Sequence, residues 1–186
     1  MQHYSIGCGM LLVLLSGVVS ARAAGDPNLP PGGAADLDLS IAVPLVNGVR
    51  PIFLTGPGAH FHVVLLNRAQ SPLRIWREGN SWGHAALRFE GIDAEGKPFV
   101  IRRRAVPFLQ NAPSYQVLEP GGTFVVDVLF ADDSWQTFPL PAKGGLLNVA
   151  LQAIYEVPLD MAAKQHGVWT GKIASPLETY RFEDRQ

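Results

Sequence analysis

The 186-residue sequence contains one cysteine, Cys8. A lone thiol forms no disulfide within its chain, which excludes a disulfide-stapled scaffold. Cys8 also precedes the apolar stretch at residues 10–19, whereas the lipidated cysteine of an anchored protein follows such a stretch. A mature chain that begins after residue 23 would have neither a thiol nucleophile nor a thiolate metal ligand. Its stability must come from core burial, for which roughly 160 residues suffice.

An excess of charge of either sign is also missing. Charged residues make up 17% of the sequence, and the formal net charge is -1. The chain therefore lacks the basic field that attracts nucleic acid or an anionic membrane surface, and neither partner is expected.

Long apolar runs are absent, but a shorter one indicates export. Residues 10–19, MLLVLLSGVV, have the length of the apolar region of a signal peptide. A membrane-spanning helix needs about 20 such residues. Residues 21–23, ARA, place small side chains at both positions that a signal peptidase reads, although residues 1–5 contain no Lys or Arg. We expect cleavage after residue 23 and an exported protein, either periplasmic or secreted, with no membrane attachment after cleavage.

Glycine and proline are abundant, with 19 and 15 residues, and they separate short segments in which apolar and polar residues alternate. Residues 24–36 should be a flexible lead-in, and residues 37–183 a single domain. Only residues 160–165 favour a short helical turn. The pattern predicts an all-β fold, an antiparallel sandwich. The expected strands are 37–46, 50–55, 60–66, 73–77, 85–90, 98–104, 123–130, 146–157, 168–174 and 177–182.

Two stretches resemble a known class of domain. Residues 62–76, HVVLLNRAQSPLRIW, join an apolar strand to an asparagine and then to Pro-Leu. Residues 118–128, LEPGGTFVVDV, place Pro-Gly before an alternating strand. Together they resemble bacterial immunoglobulin-like or fibronectin-III-like sandwich domains, including the proteinase-inhibitor type. The resemblance covers about residues 63–128. It implies an immunoglobulin-like β-sandwich and assigns no functional residue.

Residues 72–90 contain the densest group of candidate binding side chains. Trp76 faces outward or lies between sheets, and Trp82 lies in a glycine-framed turn. Aromatic and arginine side chains dominate interface energetics, so an exposed Trp82 would mark a binding surface. The alternative is that Trp82 folds back to cover the end of the core. The candidate binding residues are Trp76, Arg77, Asn80, Ser81, Trp82 and His84.

This cluster favours a non-enzymatic, extracytoplasmic interaction module that binds a protein or a glycan of the cell envelope. Proteinase inhibition is a specific form of that hypothesis. No cofactor is expected.

A serine hydrolase is one alternative. Residues 79–83, GNSWG, match the G-x-S-x-G pattern, in which Ser81 would be the nucleophile. That chemistry needs a helix directly after the serine. Residues 84–90 instead alternate as a strand does, so a β-turn around Ser81 is the expected structure.

A metal site is the other alternative. His60 and His62 are two residues apart on an expected strand, so their side chains share a face. His84, or else His166, would complete a set of imidazole ligands for zinc or copper. The other interpretation is that the histidine pair is exposed and has no role. The acids at 93–95 and 132–133 supply too few oxygen ligands for calcium.

Overall fold

The computed structural model describes residues 36–55, 58–130, 134–136 and 139–185. The expected signal peptide, and all but the last residue of the expected lead-in, lie outside this part. The described chain is mostly β, with antiparallel sheets and two short helices. Neither of these helices has the length and apolar character needed to cross a membrane.

The strands and helices follow one another through most of the described chain. The strands are β1 (Leu37–Ala42), β2 (Pro51–Phe53), β3 (His60–Asn67), β4 (Leu73–Trp76), β5 (Leu87–Ile92), β6 (Pro98–Arg102), β7 (Tyr115–Leu118), β8 (Thr123–Leu129), β9 (Leu146–Val157), β10 (Gly171–Ala174) and β11 (Glu178–Glu183). The helices are α1 (Ser81–Ala86) and α2 (Met161–His166).

The strands pair into three sheets. One has the order β1-β3-β8, and a larger one has the order β2-β11-β9-β5-β6, with β10 also paired to β9. The third is the two-stranded ribbon β4–β7. All of these pairs are antiparallel except β2 with β11. Side chains alternate between buried and exposed along β1, which explains why alternation in the sequence predicts these strands.

Aromatic rings occupy the centre of the core. Phe130 packs edge-to-face on Phe61 and Phe89, with ring centroids 5.0 and 5.1 Å away. Trp135 and Phe182 contact the same ring at 5.6 and 5.8 Å. These five residues come from separate segments of the chain, and edge-to-face contacts add to the stability that burial alone provides.

Helix α2 confirms the helical turn expected at residues 160–165. Asp160 caps its start, because the Asp160 carboxylate accepts a hydrogen bond from the Ala163 backbone N–H at 2.7 Å. Gly167 ends the helix in the left-handed region at φ 60°, where glycine is favoured.

Helix α1 corrects the sequence prediction, which placed a loop and then a strand at residues 78–90. Asn80 caps this helix by accepting a hydrogen bond from the Gly83 N–H at 2.9 Å. A Cβ atom at Gly83 would lie 2.0 Å from the Arg77 carbonyl oxygen, so this close approach requires glycine. Leu87 and Phe89 do share the buried face of a strand, as their alternation predicts. This strand begins at Leu87 rather than at residue 85.

The ribbon is attached to the rest of the fold by a buried amide. Asn67, at the end of β3, is 1% exposed. Its Nδ2 donates hydrogen bonds to the carbonyl oxygens of Ser71 at 2.9 Å and of Leu118 at 2.8 Å. Its Oδ1 accepts one from the Ala69 N–H at 2.8 Å. One side chain therefore fixes both the turn before β4 and the last residue of β7.

We expect Asn67→Ala to lower the free energy of unfolding by about 2–4 kcal/mol, because three hydrogen bonds are lost and the buried Leu118 carbonyl oxygen loses this donor. Asn148 is exposed on β9 and serves as the matched control. Asn148→Ala should change the same quantity by less than about 0.5 kcal/mol. Urea unfolding measures both, and equal losses would contradict the role given to Asn67.

Candidate functional site

Two tryptophans stack where β4 meets α1. Trp76, the last residue of β4, is 1% exposed, whereas Trp82 on α1 is only partly buried. Their rings are 5.5 Å apart at an interplanar angle of 29°. Trp82 therefore both covers the core and reaches solvent, and its role as a binding residue stays a prediction.

The partly exposed tryptophan borders a small cleft of about 190 Å³ between α1 and the end of β9. We call it the α1 cleft. Its lining is mainly apolar. The residues that form it are Trp76, Ser81, Trp82, Ala85, Glu156, Val157 and Pro158.

The candidate binding residues divide by burial. Asn80 is 1% exposed, and besides capping α1 it donates from Nδ2 to the Ser114 carbonyl oxygen at 2.8 Å. The sequence predicts that Asn80 and Trp76 contact a partner, but both are buried, so Asn80 caps α1 and Trp76 supports Trp82 instead. Arg77 is exposed, and Ser81 is partly buried.

Ser81 begins a helix, as a nucleophile elbow requires, but its hydroxyl is engaged elsewhere. The Ser81 Oγ accepts a hydrogen bond from Asn111 Nδ2 at 2.8 Å. His84, one turn along α1, has its Nε2 2.9 Å from the Arg104 carbonyl oxygen and its ring against Phe108. Within the described residues, Ser81 thus makes no hydrogen bond to a histidine, which a serine nucleophile needs.

The histidine pair contacts a carboxylate instead of completing a ligand set with His84. His60 and His62 lie on the exposed face of β3, with their Nδ1 atoms 3.1 and 3.3 Å from the two oxygens of Asp127. Asp127 is opposite His62 in the register of β3 with β8. His166 lies apart on α2, against Trp76. No group of three or more His, Cys, Asp or Glu residues in the described chain could hold a metal ion.

A partly buried ion pair lies beside this histidine pair. Glu78 accepts a hydrogen bond from the Arg103 guanidinium, which lies over the Trp135 ring at 5.1 Å. Burial raises the pKa of Glu78 above its usual value, although the positive charge of Arg103 favours the ionised form. Glu78, Arg103, His60 and Asp127 all border an open cavity of about 300 Å³.

Comparisons with known proteins found no match to any family model, any curated protein or any solved structure. A function for this protein is therefore inferred from its own residues and their geometry.

The raised pKa of Glu78 predicts a pH dependence. Between its unfolded and folded pKa values, the folded state binds more protons at this group than the unfolded state does, so its contribution to stability falls as the pH rises. The free energy of unfolding of the wild type, relative to Glu78→Gln, should therefore decrease as the pH rises above 4.5.

Urea unfolding of both proteins between about pH 4 and pH 7 measures this difference. A difference that stays constant or increases with pH would contradict the prediction. Direct NMR titration of the Glu78 carboxyl group checks the same shift without a variant.

Proposed function

We propose that this protein is a non-enzymatic, extracytoplasmic binding module that holds an apolar segment of a partner protein in the α1 cleft. The observation that carries the proposal is the partly exposed Trp82 stacked on a buried Trp76 at the edge of an apolar cleft. A large aromatic side chain that keeps contact with solvent is the typical centre of an interface.

The fold class is part of the same proposal. The antiparallel sheets around one core support an immunoglobulin-like β-sandwich.

Exposed apolar side chains beside the cleft support a protein partner. Leu159 and Met161, the first residue of α2, lie one and three residues after Pro158, which lines the cleft, and they are 51% and 86% exposed. Leu109 is 99% exposed on the loop whose Asn111 is hydrogen-bonded to Ser81. Methionine and large apolar residues at such exposure are typical of protein contact surfaces.

The helix that carries Trp82 is held rigidly by the neighbouring loop. Ser114 accepts a hydrogen bond from Asn80, and the Ser81 N–H donates one to Asn111 Oδ1 at 2.9 Å. His84 bonds to the Arg104 carbonyl oxygen on the same loop. A preformed surface loses little conformational entropy on binding, which favours affinity.

Polar groups around the cleft favour a protein over a glycan. A sugar ring needs several polar groups to bind its hydroxyls. Ser81 is already bonded to Asn111, and Glu156 pairs with Arg88 at 2.7 Å. The cleft therefore offers apolar contact rather than free hydrogen-bonding groups, and a glycan ligand remains the second outcome of the test.

Photo-crosslinking in the cells that produce the protein tests the proposal. A photoreactive phenylalanine analogue is placed at position 161 and, separately, at position 109. The matched control carries it at the exposed Lys97, in the turn after β5 and about one strand length from α1. We expect positions 161 and 109 to capture the same protein, position 97 to capture none, and Trp82→Ala to reduce the yield about tenfold, as truncation of a central interface tryptophan does.

Equal capture at all three positions, or capture that Trp82→Ala leaves unchanged, would contradict the proposal. Binding to a glycan array that depends on Trp82, without any protein crosslink, would instead support a glycan-binding module. Because Trp82 packs on Trp76, the folded state of Trp82→Ala is checked by its unfolding transition.

A further inference from the structure

A second cavity lies beside the ribbon and separate from the α1 cleft. Its volume is about 580 Å³, within the range of small-molecule sites. Its lining combines apolar side chains with the polar residues Asp36, Ser71 and Arg74. The residues that line it include Pro72, Leu73, Val117, Val168, Trp169 and Arg74.

Arg74 is oriented by uncharged groups. Its Nη1 donates a hydrogen bond to the His166 carbonyl oxygen at 2.7 Å, and its guanidinium carbon lies 4.8 Å from the centre of the Tyr115 ring. The guanidinium is thereby fixed in place without neutralisation of its charge.

Several other arginines of the described residues are paired with an acidic side chain. Arg68 pairs with Asp38 at 2.8 Å, and Arg88 pairs with Glu156 at 2.7 Å. No acidic side chain of the described residues lies within ion-pairing distance of Arg74, which is exposed at the border of the cavity. An oriented but unpaired guanidinium is a ready partner for a carboxylate, which it binds through two parallel hydrogen bonds.

Trp169 closes the inner wall of the cavity. It is 2% exposed, and its indole Nε1, which has no hydrogen-bond partner among the residues that the structure describes, is buried out of reach of a bound molecule. Recognition of a ligand in this cavity therefore depends on Arg74.

We propose that this cavity binds a small amphipathic carboxylic acid. Its carboxylate pairs with Arg74, and its apolar body packs on Pro72, Leu73 and Val117. A single guanidinium and the nearby Asp36, which also borders the cavity, favour a monoanion over a phosphate dianion. This function is distinct from the proposed binding of a protein at the α1 cleft, and neither depends on the other.

Phenylacetate is a suitable probe, because it joins a carboxylate to a planar apolar ring, and phenylacetamide is its uncharged isostere. We expect saturable binding of phenylacetate to the full chain by calorimetry. The backbone amide NMR signals of Val117 and Val168 should shift, and phenylacetamide should bind about tenfold more weakly, the loss expected for a charge-assisted pair.

Arg74→Gln should weaken phenylacetate binding by at least about tenfold, and Arg74→Lys should restore part of it. The matched control is Arg102→Gln, an exposed arginine on β6, which should leave binding unchanged. Equal affinity for acid and amide, an unchanged Arg74→Gln variant, or no saturable binding of phenylacetate at about 10 mM would overturn the proposal. The comparison of acid with amide uses the wild type alone, so it stands even if a variant fails to fold.

Discussion

Two buried asparagine side chains hold the ribbon β4–β7 at its two ends, and both candidate sites depend on that ribbon. Asn67 donates to the carbonyl oxygen of Leu118, the last residue of β7. Asn80 donates to the carbonyl oxygen of Ser114, directly before β7. Each amide also accepts a backbone N–H, so its buried polar atoms are satisfied. Such fully satisfied buried networks restrict a chain to one arrangement.

The ribbon in turn positions side chains of both candidate sites. Its strand β4 carries Trp76, which forms the floor of the α1 cleft under Trp82. Two residues earlier, Arg74 borders the second cavity, and its backbone carbonyl accepts a hydrogen bond from the Trp169 N–H at 2.8 Å. A four-residue strand thus contributes side chains to both sites. Looser ends of the ribbon would therefore affect the cleft and the cavity together.

Local patterns in the sequence predict much of the fold, but they do not predict the sites. Alternation places β3, β8 and β9 within a residue or so of their observed bounds, because each strand has one buried face. Helix α1 escapes this reasoning, since its six residues depend on the Asn80 cap and on the close approach of Gly83 to Arg77. The contact of Asp127 with the histidine pair depends on strand register, which a single sequence leaves open.

The most direct test of this arrangement is amide hydrogen exchange of the ribbon in the double variant Asn67→Ala/Asn80→Ala. The ribbon amides of Ile75 and Tyr115 should exchange at least about tenfold faster than in the wild type, which corresponds to a loss of roughly 1.4 kcal/mol in local stability. The amide of Leu151 in the centre of β9 reports the loss of global stability in the same samples. A ribbon whose exchange stays unchanged while Leu151 exchanges faster would contradict the claim that the two asparagines hold it in place.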